Sequence, residues 1–194
     1  MDYFLRFYIY IFMILYLLSI IPNFLFNSYK KEYFFFSTDI KYLNKVLVFF
    51  YLHINTQLKM FVDLSAVDII KNKNRFILVY QLLSYLYHNR FFIKLNISEF
   101  DKAYSLCSLY PNISWYEREV WDLFGIYFIG NKDMRRILTD YGFQGHPLRK
   151  DFPLSGFVEL SYSERIKNIK YSSVSFIQEF RLFDTKSPWY FFSN

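Results

Sequence analysis

All five glycines of this chain fall between Gly125 and Gly156, and the first 124 residues contain none. Every turn in that first stretch must be built from residues that carry a Cβ. The later stretch keeps the one residue that takes positive φ freely and lets another backbone approach closely. Phe, Tyr, Ile, Leu, Lys and Asn dominate the chain, with 25 Phe and 19 Tyr, as A+T-rich coding favours. That bias disfavours glycine, so a segment that retains it is expected to need it physically. The aromatic excess is read as the same bias and not as a binding surface.

Composition sets wide bounds. A chain of 194 residues can bury one proper core. Its 54% apolar and 21% charged content excludes ordinary disorder. One cysteine excludes a disulfide scaffold and any cysteine-based zinc or iron–sulfur site within the chain. His53, His88 and His146 leave little for a histidine-rich metal site. The net charge is +6, but Lys and Arg are scattered rather than clustered. That argues against a nucleic-acid face and for a mildly basic organellar protein.

Residues 7–21 form an apolar run broken only by Ser19 and closed by Pro22-Asn23. As a helix it spans roughly 22 Å, short of the roughly 30 Å hydrocarbon core. No small-residue cleavage site follows it, as a signal peptide requires. Burial against a partner or a membrane surface is the preferred reading, with possible membrane contact by residues 1–26. Residues 27–37 read as a linker, which makes residues 1–37 a segment apart.

From Thr38 a helical pattern runs through Tyr42, Leu43, Val46, Leu47, Phe50 and Tyr51. Leu58, Met60, Val62, Leu64 and Ala66 then alternate with Lys59, Phe61, Asp63 and Ser65, a strand with one face inward. Residues 71–74 form a polar turn, and the apolar run 75–87 reads as a central strand. His88-Asn89-Arg90 turns it into a second strand in which Phe91, Ile93, Leu95 and Ile97 alternate with Phe92, Lys94 and Asn96. A short helix is expected next, with Ser98 and Asp101 as its capping box and Phe100, Ala103, Tyr104 and Cys107 as its apolar stripe. Cys107 reads as a buried core residue.

Ser114 and Glu117 form a second capping box, and Gly125 fits the left-handed position that ends the helix they open. Tyr116, Val120, Leu123 and Phe124 share one face of it. The fold class is α+β: a mixed, largely antiparallel sheet with packed helices over residues 38–124, followed by a long irregular C-terminal extension, residues 125–194. Residues 125–156 keep no periodicity yet are rich in apolar side chains. They are expected to form an ordered strap held by those side chains against something larger.

Charge from Glu117 to Asp151 is balanced. Glu117, Glu119, Asp122, Asp133, Asp140 and Asp151 face Arg118, Lys132, Arg135, Arg136, Arg149 and Lys150. Such a mixture carries no net field for phosphate and suits specific ion pairs. His146 could pair with Asp140 or Asp151 for acid–base work, but no nucleophile elbow, phosphate loop or metal spacing accompanies it. A turn at His146-Pro147, with the imidazole bonded to backbone, is the preferred reading.

The run Glu117-Arg118-Glu119-Val120-Trp121-Asp122-Leu123-Phe124-Gly125-Ile126 resembles the signature of the 30 kDa subunit family of respiratory complex I. The resemblance continues through Asp133-Met134-Arg135-Arg136-Ile137-Leu138-Thr139-Asp140-Tyr141-Gly142-Phe143 and Gly145-His146-Pro147-Leu148-Arg149-Lys150-Asp151-Phe152-Pro153-Leu154. It covers residues 38–190, with family-like strands at 61–68 and 76–84 and a tail at 178–184 and 187–189. Two departures stand out: Asn131-Lys132 lacks the proline usual before the arginine pair, and Ile69-Ile70 replaces a Tyr-Pro.

The resemblance implies a core subunit of the peripheral arm of NADH:ubiquinone oxidoreductase, on the matrix side of the mitochondrial inner membrane. It implies scaffolding of the quinone-reducing module beside the 49 kDa subunit and the terminal-cluster subunit. It implies no flavin, iron–sulfur cluster, quinone or catalytic residue in this chain, FMN and clusters being held by neighbours. Glu117, Arg118, Glu119, Asp122, Asp133, Arg135, Arg136, Asp140, His146, Arg149, Lys150 and Asp151 are then candidate interface residues. The alternative is a basic organellar RNA-binding or ribosomal protein.

Overall fold

The computed structural model describes residues 34–176, the backbone of residues 25–30 and Tyr33, and Tyr16, Gln178 and residues 180–183. The apolar run at 7–21, apart from Tyr16, and the tail motif at 187–189 lie outside the described residues. Two compact units divide the chain, Met1–Phe152 and Pro153–Asn194.

The elements are β1 (Leu25–Lys30), β2 (Tyr33–Thr38), α1 (Leu43–Leu52), β3 (Met60–Asp68), β4 (Phe76–Ser84), β5 (Asn89–Ile97), β6 (Ala103–Tyr104), α2 (Ile113–Phe124), β7 (Phe128–Ile129), β8 (Val158–Ser163) and β9 (Asn168–Ser173). The main sheet has the order β1-β2-β5-β4-β3. Its β1–β2, β5–β4 and β4–β3 pairs are antiparallel and its β2–β5 pair is parallel. The fold is therefore α+β with a mixed, largely antiparallel sheet, as the alternating runs and short turns imply.

Register and core have one cause. Phe76, Leu78, Tyr80 and Leu82 on β4 stand directly opposite Ile97, Leu95, Ile93 and Phe91 on β5, and all eight are buried. Opposed residues share a face, so the period-two pattern of both strands puts one apolar layer on one side. Helix α1 closes over that layer through Phe50, whose ring lies 5.5 Å from Phe91 and 6.1 Å from Phe36. Tyr110 anchors the next segment by donating its buried hydroxyl to the Leu58 carbonyl at 2.6 Å.

Four local expectations are corrected. The linker at 27–37 contains strand β2, which pairs with β5 across the sheet. On β3, a register shift between Phe61 and Asp63 moves the phase, so Phe61 is buried while Met60 and Val62 are half-buried. The β4–β5 turn lies at Tyr85–His88 rather than 88–90, because Asn89 already pairs with Ser84. The helix expected at 98–107 does not form. Ser98 and Asp101 do bond at 2.7 Å, but β6 takes parallel partners on β7, with Ala103 N–H on the Tyr127 carbonyl and Ser105 N–H on Ile129. Those donors are then unavailable for helix, and Phe100 is left 92% exposed.

The second unit holds the β8–β9 hairpin, within a stretch read from sequence as irregular.

Candidate interaction site

Helix α2 carries the site. Its N-cap is Asn112, not Ser114, and Asn112 sends its side-chain N–H to the Phe61 carbonyl at 3.2 Å. The helix buries Ile113, Val120 and Phe124 but also Glu117, Arg118 and Asp122. A helix that buries charge on one side and apolar residues on another is covered from both sides. Here one cover is the sheet, with Tyr116 5.2 Å from Phe61 edge to face. The other is the strap.

Glu117 has no exposed surface and caps nothing. Its carboxylate accepts from Leu106 N–H at 2.9 Å, Ser105 Oγ at 2.7 Å and Asn131 Nδ2 at 2.9 Å. Burial pushes its pKa above the usual carboxylate range despite those bonds. Cys107, half-buried, points its thiol at the same carboxylate at 3.5 Å. Asn131 also accepts from Asp133 N–H and Ser114 Oγ, each at 3.2 Å. Its side chain thus braces the turn where the resembling family has proline.

Asp122, equally unexposed, gathers the middle of the strap. Ile137, Leu138 and Thr139 donate backbone N–H groups to it at 3.2, 2.7 and 2.9 Å, and Thr139 adds its hydroxyl at 2.7 Å. Arg136 Nε completes the set at 2.5 Å. Burial alone would raise this carboxyl, but the bonds from Thr139, Arg136 and Leu138 outweigh it and hold the pKa well below the usual range. The same guanidinium reaches the Asp122, Phe143 and Gly145 carbonyls at 3.0, 2.6 and 2.5 Å. One arginine therefore ties two points of irregular backbone to the end of helix α2.

Gly125 ends α2 at φ +76°, as its position predicts. It also admits a close neighbour: a Cβ there would lie 2.6 Å from the His146 ring and 2.7 Å from Arg149. His146 Nδ1 sits 3.0 Å from the Asp122 carbonyl. A carbonyl can only accept, so Nδ1 carries the proton. Burial lowers the imidazole pKa, and the Arg149 and Arg136 charges lower it further. At Gly145, φ is +106° and a Cβ would meet the Phe152 ring at 2.8 Å. These two glycines serve approaches within the chain itself.

The far end of the strap is held by the sheet. Arg75 grips Asp68 with two bonds of 2.9 Å, and Lys150 donates its backbone N–H to Asp68 at 2.9 Å. The Arg75 bonds keep the Asp68 carboxyl below its ordinary range against the cost of its burial. Asp151 pairs with Arg75 at 3.0 Å, and Glu99 joins Arg75 to Arg149. Arg149 also donates to the Phe124 carbonyl at 2.6 Å.

Most of the charges named from sequence thus find partners inside the chain, though only Arg118, Asp122, Asp133, Arg135 and Arg136 pair among themselves. Arg118 lies over Trp115 and bonds the Arg135 carbonyl. Arg135 itself is exposed and holds the Asp133 carboxyl down to about 2. Asp140 accepts the Tyr141 N–H, and Glu119 is exposed. His146 meets neither Asp140 nor Asp151, so no acid–base pair forms. Sequence reasoning missed Asp68, Arg75 and Glu99. One signal was present: Asp68 falls in phase with the buried Leu64, and a carboxylate in a core phase needs a cation. The strap is held at its start by the buried apolar side chains of Ile126 and Phe128, as expected, and beyond them by buried carboxylates, while Leu138, Tyr141 and Leu148 are exposed.

Among the described residues no group of three or more acids, histidines or cysteines is placed to hold a metal. Nor is any helix there long and apolar enough to cross a membrane. A mixed-sheet domain that binds down its own irregular strap, and presents apolar side chains along it, has the build of a subunit that meets other chains. Residues 36–158 match the family described as the 30 kDa subunit of respiratory-chain NADH dehydrogenase. The chain is 47% identical over 154 residues to NADH dehydrogenase [ubiquinone] iron-sulfur protein 3 of Arabidopsis thaliana, covering 79% of this chain and 81% of that protein. It is 49% identical over 149 residues to NADH-ubiquinone oxidoreductase subunit 9 of Prototheca wickerhamii, covering 77% and 78%. A chain of an archaeal respiratory membrane complex, the membrane-bound sulfane sulfur reductase, shares the fold with a TM-score of 0.64 at 24% identity, over 73% of this chain and 84% of that one.

The chain belongs to the 30 kDa subunit family of respiratory-chain NADH dehydrogenase, and is a core subunit of the peripheral arm of complex I. The RNA-binding or ribosomal alternative finds no support in these matches.

Proposed function

We propose that this subunit acts as a scaffold in the mitochondrial complex, on the matrix side of the inner membrane, and takes no part in the chemistry. In this reading it holds no flavin, iron–sulfur cluster or quinone. It positions the 49 kDa subunit and the terminal-cluster subunit, which do. A single cysteine is too few for a cluster, which takes four ligands.

The observation that carries the reading is the strap. Asp122, Arg136 and Asp68 lock its backbone to the domain, while Leu138, Tyr141 and Leu148 stand exposed. A rigid backbone that presents apolar side chains binds with little ordering cost. The pair Leu138→Asp and Tyr141→Asp, made together, is expected to lower the amount of assembled complex on a native gel at least several-fold. Turnover per assembled complex should not change. Normal amounts of complex with slowed quinone reduction would instead assign these residues to the reaction.

A further inference from the structure

Arg118 is buried without a full set of partners. Its side chain is only 10% exposed. A guanidinium has five N–H groups, yet among the described residues only Nε–H finds an acceptor, the Arg135 carbonyl at 2.9 Å. The Asp133 carboxylate stands 3.9 Å from Nη1, beyond the reach of a charge-assisted hydrogen bond of about 2.8 Å. Asp133 is engaged elsewhere, since Arg135 holds it at 2.8, 3.0 and 3.1 Å. Neither Nη of Arg118 is among the buried polar atoms without a partner, which are Tyr80 Oη, Ser84 Oγ and Asn89 Oδ1. Both are therefore unpaired and reached from outside. A largely buried guanidinium with its fork unused is costly unless an acceptor comes to it.

The surroundings select the acceptor. The guanidinium lies over the Trp115 ring at 4.6 Å, and Trp115 is 62% exposed. Arginine and tryptophan are the residue types that carry most binding energy at protein interfaces. Glu119 follows Arg118 on the helix and Asp133 adjoins it in space, so a doubly charged phosphate is repelled there. A single carboxylate instead meets the fork with two parallel bonds. Asp122 lies one turn further along the same side of α2 and accepts the backbone N–H of Leu138, whose side chain is exposed. The opening at Arg118 and the strap surface at Leu138 thus lie along one side of the helix.

We propose that Arg118 is the socket for one carboxylate side chain, an Asp or Glu, of a neighbouring subunit of the complex, seated beside Trp115. The inference rests on the reading of this chain as a scaffold and names the chemistry of one contact the scaffold makes. The test is the structure of the unaltered, assembled complex by electron cryo-microscopy, joined to a cross-link. The map is expected to place a carboxylate of another subunit within about 3 Å of an Arg118 Nη. For the cross-link, complex carrying Arg118→Lys is treated with a water-soluble carbodiimide. The introduced amine attacks the activated carboxyl, an amide bond forms and the carbodiimide leaves as a urea. Peptide mass spectrometry should find that amide joining position 118 to an Asp or Glu of another subunit. A map in which Arg118 meets only water, a lipid phosphate or Asp133 of its own chain would overturn the proposal. So would an assembled variant with no amide from position 118 to another subunit. Either result would leave the scaffold reading standing, because that reading falls to slowed quinone reduction in normal amounts of complex.

Discussion

Five donors converge on the Asp122 carboxylate, three of them backbone N–H groups of consecutive residues. Irregular backbone has no ladder to satisfy such groups, and burying them unpaired is costly. Asp122 does for residues 137–139 what a neighbouring strand would do. Asp122→Asn keeps the size but loses the charge and turns a donor toward donors. It is expected to cost about 3 kcal/mol at neutral pH in chemical denaturation. The pH dependence has a definite sign. The folded pKa is depressed, so this stabilisation is complete above the ordinary carboxylate range near pH ~4 and is lost as pH falls through the lower folded value. The gap between native and variant should therefore narrow below about pH 4. A constant gap down to acid unfolding would contradict the assignment. Asp122, Arg136 and His146 were legible in sequence as a charged, glycine-punctuated strap. Most of their partners were not, because apart from the Asp122–Arg136 pair and the Thr139 hydroxyl those partners are backbone atoms that any sequence supplies.

Elements of this chain form where local pattern and distant partner agree. Strands β4 and β5 follow from alternation alone, since each is the other's partner across a short turn. Residues 98–107 fail as a helix because β7, some 25 residues further on in the chain, takes their backbone donors. Strand β2 was hidden for the same reason, its parallel partner β5 lying far along the chain. The end of β3 offers a test at this scale. Asp68 is buried, and Arg75 is its charge partner. Arg75→Ala leaves that carboxylate unpaired and frees the strap at Lys150 and Asp151. Trypsin should then cut at Arg149 or Lys150 several-fold faster, with the circular dichroism of the sheet unchanged. Unchanged cleavage would show that the strap end is held by something else.

At the scale of the whole molecule, the two units differ in how they can be stable. The first buries a core between a five-stranded sheet, α1 and α2. The second has a hairpin in which Leu160 opposes Tyr171 and Tyr162 opposes Ile169, an apolar face that remains exposed. A two-stranded hairpin alone is marginal in water. In hydrogen exchange on the free chain, the amides of β8 and β9 should lose protection at far lower denaturant than those of β4 and β5. Equal protection would contradict this division. The sequence by itself determined the alternating strands, the Gly125 helix stop, the sheet class and the family, because each is written in local periodicity or in a long run of matched residues. The tertiary structure alone decided which carboxylates hold the strap and which apolar residues stay outside. Those outcomes depend on donors and acceptors brought together from distant parts of the chain, and backbone groups leave no signature in the order of side chains.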